Sequence, residues 1–290
     1  MTMNRRFAIK TLGGLAALSL FEGKSLASDL RKKKNIGVQL YTLRNDISRD
    51  AANTIREVAG LGYREVENFG YTNGKFFGMD PKTYGSLLKE NALSAPSGHY
   101  MLPQLNSGWE KAIDDAAAIG QEYMVLAFLF PHERKTLDDY RKVADLLNKC
   151  GETCKKAGIQ LCYHNHDFEF ETIEGQIPFD ILMQKTDKEL VKAELDLYWA
   201  VKAGRKPTDI FRQYNGRIAL WHVKDMDNTE NKSFTEVGSG VIDFVEIFKQ
   251  HRKSGMKHFF VEQDVCPGPP LQSIEKSIGH IKSRLLKYIS

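Results

Sequence analysis

From Asn35 onward, short apolar runs alternate with stretches whose apolar residues return every three or four positions. The short runs read as strands and the periodic stretches as amphipathic helices. Strands are expected at 36–40, 63–67, 94–99, 123–127, 159–166, 191–197, 218–224 and 258–263. Helices are expected at 50–59, 81–91, 109–119, 136–157, 177–186, 207–214, 244–254 and 271–288. The punctuation agrees: Asp80-Pro81 pairs a cap with a proline at the first helical position, and Gly158 stops the long helix before it. Repeated strand-then-helix units imply parallel strands with helical crossovers. Eight of them in about 260 residues fit one closed (β/α)8 TIM barrel better than an open doubly wound sheet. No strand leads into Gly-x-Gly-x-x-Gly, no Walker-type loop occurs, and no linker-like stretch divides residues 28–290.

In such barrels the chemistry gathers at the C-terminal strand ends. The fifth strand ends in His164-Asn165-His166, the sixth in Glu194-Leu-Asp196-Leu-Tyr198-Trp199, the seventh in His222-Val-Lys224-Asp225, and the eighth in Glu262-Gln-Asp264. Residues two apart on a strand share a face, so His164 with His166, Glu194 with Asp196, and His222 with Lys224 would each point the same way. Any one of these residues alone is as readily a rim salt bridge. Four neighbouring strands ending in ligand-type residues point to one divalent cation held by His164, Asp196, His222 and Glu262, with His166 as an alternative to His164. A nitrogen and oxygen shell without thiolate suits Mn, Co, Mg, Fe or Zn.

Gly37-Val-Gln-Leu-Tyr41 with Arg44, Ala59-Gly-Leu-Gly-Tyr63 before Glu65, His222-Val-Lys-Asp225 and Val261-Glu-Gln263 resemble the xylose isomerase-like TIM-barrel family, the sugar phosphate isomerase/epimerase group. The resemblance covers about residues 35–290. It implies a metal held by Glu, Asp, His and Glu from strands five to eight, and Asp196, His222 and Glu262 match. His164 stands where many relatives have the first glutamate. The implied chemistry is proton transfer next to a carbonyl, with the metal stabilising an enediolate. Glu262 would serve as ligand and base, with a second base among His166, Glu194 and His164, and Lys224 would steady the oxyanion. Gln39, Tyr41, Glu67, His99, Tyr198 and Trp199 end strands where they would meet sugar hydroxyls or stack on a ring, although aromatics there are more often core. Elimination from a 3-keto-glycoside or an inosose-type dehydration uses the same enolisation. A carbohydrate-binding barrel without catalysis is the reading from another class. Homo-oligomers are common in the family.

Three further features refine this picture. Residues 1–27 carry Arg5-Arg6, then an apolar run too short to span a bilayer, then Ser25-Leu-Ala27, resembling a cleavable twin-arginine export signal without a membrane anchor. A periplasmic address favours an unphosphorylated sugar or keto-sugar. The net charge of +4 is mild and the basic residues are scattered, which argues against a nucleic-acid partner. Cys150, Cys154, Cys162 and Cys266 are expected as free thiols, since the first two stand four apart in a helical pattern.

Overall fold

A computed structural model describes residues 35–289, and the export signal expected over 1–27 lies outside them. Eight parallel strands close into a barrel: β1 (Gly37–Gln39), β2 (Glu65–Asn68), β3 (Ser94–Tyr100), β4 (Tyr123–Leu126), β5 (Gln160–His164), β6 (Val191–Asp196), β7 (Ile218–Val223) and β8 (His258–Val261). The ring runs β1-β8-β7-β6-β5-β4-β3-β2, so sequence neighbours pair and β8 closes on β1. Each strand feeds a helical crossover, as the alternating pattern requires. Among the described residues no helix is long and apolar enough to cross a membrane, and all four cysteines are free.

Two apolar layers form. The larger packs the outer strand faces against the helices. The smaller lies inside the barrel, where Val125, Cys162, Ala219, Leu220 and Phe260 form a separate buried cluster. Gly37 makes room for it: a Cβ there would collide with the Phe260 ring. Above this plug, register levels the polar residues of neighbouring strands. Gln39 pairs Glu67, His164 pairs Glu194, and Asp196 pairs His222.

The structure departs from the periodic reading mainly where loops fold locally. The long helix expected at 136–157 forms as Leu137–Lys156, with Thr136 as its cap. The helix Arg44–Gly60 starts earlier than expected and kinks at Asp50. A short helix, Leu102–Asn106, and a hairpin pairing Asp225–Met226 with Phe234–Thr235 add to the expected elements. The last helix changes pitch along its length, from Pro270–His280 through a wider turn at Ile281–Leu285 to a tighter one at Leu286–Tyr288.

Candidate metal and acid/base site

The mouth of the barrel collects the polar ends of β1, β2, β3, β5, β6, β7 and β8. One ligand atom each from His164, Asp196, His222 and Glu262 lies within 4.8 Å of the others. His222 is the hub. One ring nitrogen, Nδ1, is 2.7 Å from Glu262 Oε2, and the other, Nε2, donates to Glu67 Oε2 at 2.5 Å. Glu67 also accepts from Gln39 Nε2 at 2.8 Å and from Ser97 Oγ at 2.5 Å. A carboxylate behind a histidine fixes its tautomer and turns the far nitrogen toward the shared centre. His99 Nε2 is 2.7 Å from Glu194 Oε2, and His164 Nδ1 is 3.2 Å from the same oxygen. One ligand atom each from His99, His164, Glu194 and His222 also lies within 4.8 Å of the others, a second group that shares His164 and His222 with the first.

Lys224 is buried in this site. Its ammonium lies 2.8 Å from Asp196 Oδ2, 2.5 Å from Glu262 Oε2 and 2.8 Å from Asp264 Oδ2. Lys224, expected to steady an oxyanion, is thus committed to three carboxylates. Asp225 points away and organises a loop: its carboxylate accepts from the backbone N–H groups of Met226, Gly238, Gly240 and Ile242. Gly240 is required there, because a Cβ would collide with the Met226 carbonyl oxygen.

Burial and charge set the protonation tendencies. Burial opposes charge on His222, but Glu194, Glu262 and Glu67 outweigh it and hold the imidazole well above its ordinary value. Burial also pushes Glu262 up, and Lys224 and His222 reverse this, holding it well below the carboxylate range. Asp196 is pushed up to about 6 by burial, with Lys224 pulling the other way. Burial drives His164 well down, helped by the neighbouring imidazoles.

Four buried polar atoms here make no aligned hydrogen bond: His164 Nδ1, His166 Nδ1, Glu194 Oε1 and Asp196 Oδ2. For His164 and Asp196 the charged neighbours, Glu194 at 3.2 Å and Lys224 at 2.8 Å, are close but do not satisfy these atoms in direction. Unsatisfied buried polar atoms cost about 1–3 kcal/mol each. Two of the four belong to the His164, Asp196, His222 and Glu262 set, so those residues fit a divalent cation both by proximity and by unmet demand.

Above the cluster opens a cavity of about 490 Å³. Tyr41, His99, His164, His166, Glu262 and Asp264 line it, with Phe69, Tyr71, Gln104, Phe128 and Phe130. Several expected residues sit elsewhere. Gln39, Glu67 and Glu194 are fully buried beneath the cavity floor, and both oxygens of Glu67 are occupied by protein donors, so neither Gln39 nor Glu67 is offered to a sugar. Tyr198 was expected to reach a ligand and does not. Asp196 Oδ1 accepts from the Trp199 N–H and caps the helix Leu197–Lys202. Beyond Asp196 the period changes from two to 3.6, which turns Tyr198 into the core with its hydroxyl on the Lys232 carbonyl. Trp199 is half-buried against Phe234. The strand also ends before His166, whose ring lies parallel to Phe168 at 5.3 Å and 5.0 Å from His164. It lines the cavity but falls outside the four-ligand set.

Sequence reasoning passed over Asn165, Glu169, Asp225 and the phenylalanines of the β4 loop. Asn165 Oδ1 accepts from Asp196 N–H and ties β5 to β6. Glu169 accepts from the Tyr163 hydroxyl and the His166 N–H, fixing the loop that carries His166. Its acidic side chain inside Phe168-Glu169-Phe170 was the available signal.

A parallel eight-stranded barrel with histidines and carboxylates converging at its C-terminal mouth defines a class of metal-capable acid/base barrels. The family model of xylose isomerase-like TIM barrels matches residues 56–284, and the chain belongs to that family. Inosose dehydratase of Lacticaseibacillus casei is 28% identical over 169 residues, 52% of this chain and 56% of that protein. The chain thus spans about half the length of the curated relatives it matches. A sugar phosphate isomerase/epimerase from Parabacteroides distasonis ATCC 8503 superposes with a TM-score of 0.79 at 28% identity, covering 89% of this chain and 97% of that one. An IolI protein solved with a zinc atom shares the fold, with a TM-score of 0.71 at 13% identity over 88% and 99% of the two chains.

Proposed function

We propose that this protein removes a proton from the carbon beside a carbonyl of an unphosphorylated sugar or keto-sugar, with a divalent metal, and so acts as an isomerase or epimerase. The observation that carries the reading is the convergence of His164, Asp196, His222 and Glu262 at the cavity floor. A divalent ion held by these residues would supply Lewis-acid polarisation of the carbonyl and its neighbouring hydroxyl. Glu262 and His166 both face the cavity. Lys224 and His222 keep Glu262 ionised, so it is ready to accept a proton from substrate. His166, uncharged and with an unpartnered Nδ1, is placed to return or take the second proton. Lys224 neutralises the carboxylates and keeps them together. Export through the leader-like residues 1–27 agrees with an unphosphorylated substrate.

A second reading, elimination of a substituent after the same enolisation, is favoured by two proton carriers on one cavity and by the dehydratases among the relatives. Incubating the metal-loaded protein with keto-sugars in deuterated water tests both by NMR. Deuterium at the carbon next to the carbonyl is expected, with epimer or elimination product separating the two readings, and Glu262→Gln is expected to slow exchange about 10²–10⁴-fold. Sugar binding without any exchange would refute catalysis and leave a carbohydrate-binding barrel.

A further inference from the structure

The cavity is larger and more aromatic than its polar floor needs. At about 490 Å³ it falls in the range that encloses a drug-sized ligand, and a single pyranose over the histidines leaves much of it empty. Rings from two loops line it. After β1, Tyr41 is 40% exposed and packs edge-on against Phe69 at 5.4 Å. The Arg44 guanidinium lies over the Tyr41 ring at 4.5 Å and also donates to the Asp264 carbonyl, so this wall is fixed. After β4, Phe130 is 44% exposed and packs edge-on against Phe128 at 5.3 Å. Phe128 is in turn held edge-on by the ring of His166 at 4.9 Å, so the aromatic wall joins the acid/base floor without a break.

Two of the polar side chains nearby are already committed. Gln104 uses its amide oxygen on Met101 N–H and its nitrogen on the Tyr71 carbonyl, both at 2.5 Å. The Tyr71 hydroxyl donates to Asp115 at 2.6 Å. A flat apolar ring would gain offset or edge-to-face contacts with these aromatic side chains that a second sugar would not.

We infer that the substrate is a glycoside whose sugar lies over His164 and Glu262 and whose aromatic aglycone is held between Tyr41 and Phe130. This rests on the proposed sugar chemistry of the site. The test uses a matched pair, methyl and phenyl β-D-glucopyranoside with the 3-hydroxyl oxidised to the ketone. Their affinities for the metal-loaded wild-type protein are measured by titration calorimetry from the initial binding heats, before turnover, with the 3-keto form of cellobiose beside them. The phenyl compound is expected to bind at least about tenfold tighter than the methyl compound, equivalent to about 1.4 kcal/mol, and tighter than the disaccharide. Phe130→Ala, at a position 44% exposed, is expected to bring the phenyl-to-methyl ratio close to one. Phe128→Leu should lower it in the same direction. A methyl compound that binds as well as the phenyl one, or a disaccharide that binds better, overturns the aromatic subsite alone. Binding of none of the three overturns the sugar reading itself, and the subsite with it.

Discussion

Lys224→Met probes the electrostatics of the site most directly. The wild-type ammonium is 1% exposed and touches three carboxylates, two of them, Asp196 and Glu262, buried. Methionine keeps most of the side-chain volume and removes the charge. Breaking a buried ion pair from one side costs about 3–5 kcal/mol, because the partner charge stays behind without compensation. For a chain of this size each kcal/mol moves the midpoint of thermal unfolding by about 2–4 °C, so the variant should melt about 6–20 °C lower in chelator. Two consequences separate this from a packing defect. A divalent cation gives the same carboxylates a new counter-charge, so its addition should raise the midpoint of the variant more than that of the wild type. Mild acid should narrow the gap, because protonated carboxyls need no cation. Scanning calorimetry with and without chelator, across pH, reads all three. A variant within about 1 kcal/mol of wild type in chelator, or an equal metal-induced shift in both proteins, would refute the shared-site argument.

Glu169 gives a pH dependence of opposite sense to an ordinary salt-bridged acid. Burial raises its carboxyl from 4.5 to about 7, so the folded state holds a proton that the unfolded chain releases. Its contribution is complete below about pH 4.5 and is lost as pH rises through 7, a change of about 3 kcal/mol; Glu169→Gln should flatten that part of the stability profile in chemical denaturation, and an unchanged slope would count against it. Asp225→Ala strips four backbone N–H groups of their acceptor and should cost about 3 kcal/mol or more, with proteolysis appearing within 226–242; unaltered cleavage there would show that the loop holds without it. His164→Glu creates the Glu, Asp, His, Glu ligand set and should lower the zinc-to-manganese affinity ratio at least about tenfold in competitive metal titration, and a constant ratio would place the metal away from residue 164.

Much of the barrel was legible because two periods alternate along one chain, and the ends of β5 to β8 announced themselves by residue type. Reading failed where a local interaction changed the period. Asp196 caps a helix, which no count of alternate residues reveals, and Tyr198 is lost to the core as a result. It also failed where partners are distant in sequence. Glu67 and His222 are 155 residues apart, so the role of Glu67 behind a histidine emerges only once the sheet has closed. Tyr41 was singled out, but the rest of the aromatic wall was overlooked because Phe128 and Phe130 follow β4 within a run that reads as more strand.

Phe260, seated against Gly37, makes the barrel a vessel open at one end. Val125, Cys162 and Leu220 complete the seal beneath the histidines. The cavity at the mouth lies above this seal, so under the proposed function a bound substrate would itself act as a stopper. Under the proposed chemistry, a proton lifted from the substrate would have the protein as its nearest destination, and return to the same molecule would compete with loss to solvent. Isotope carried in on the substrate should therefore be partly retained in the product, to a degree set by how tightly the mouth is filled.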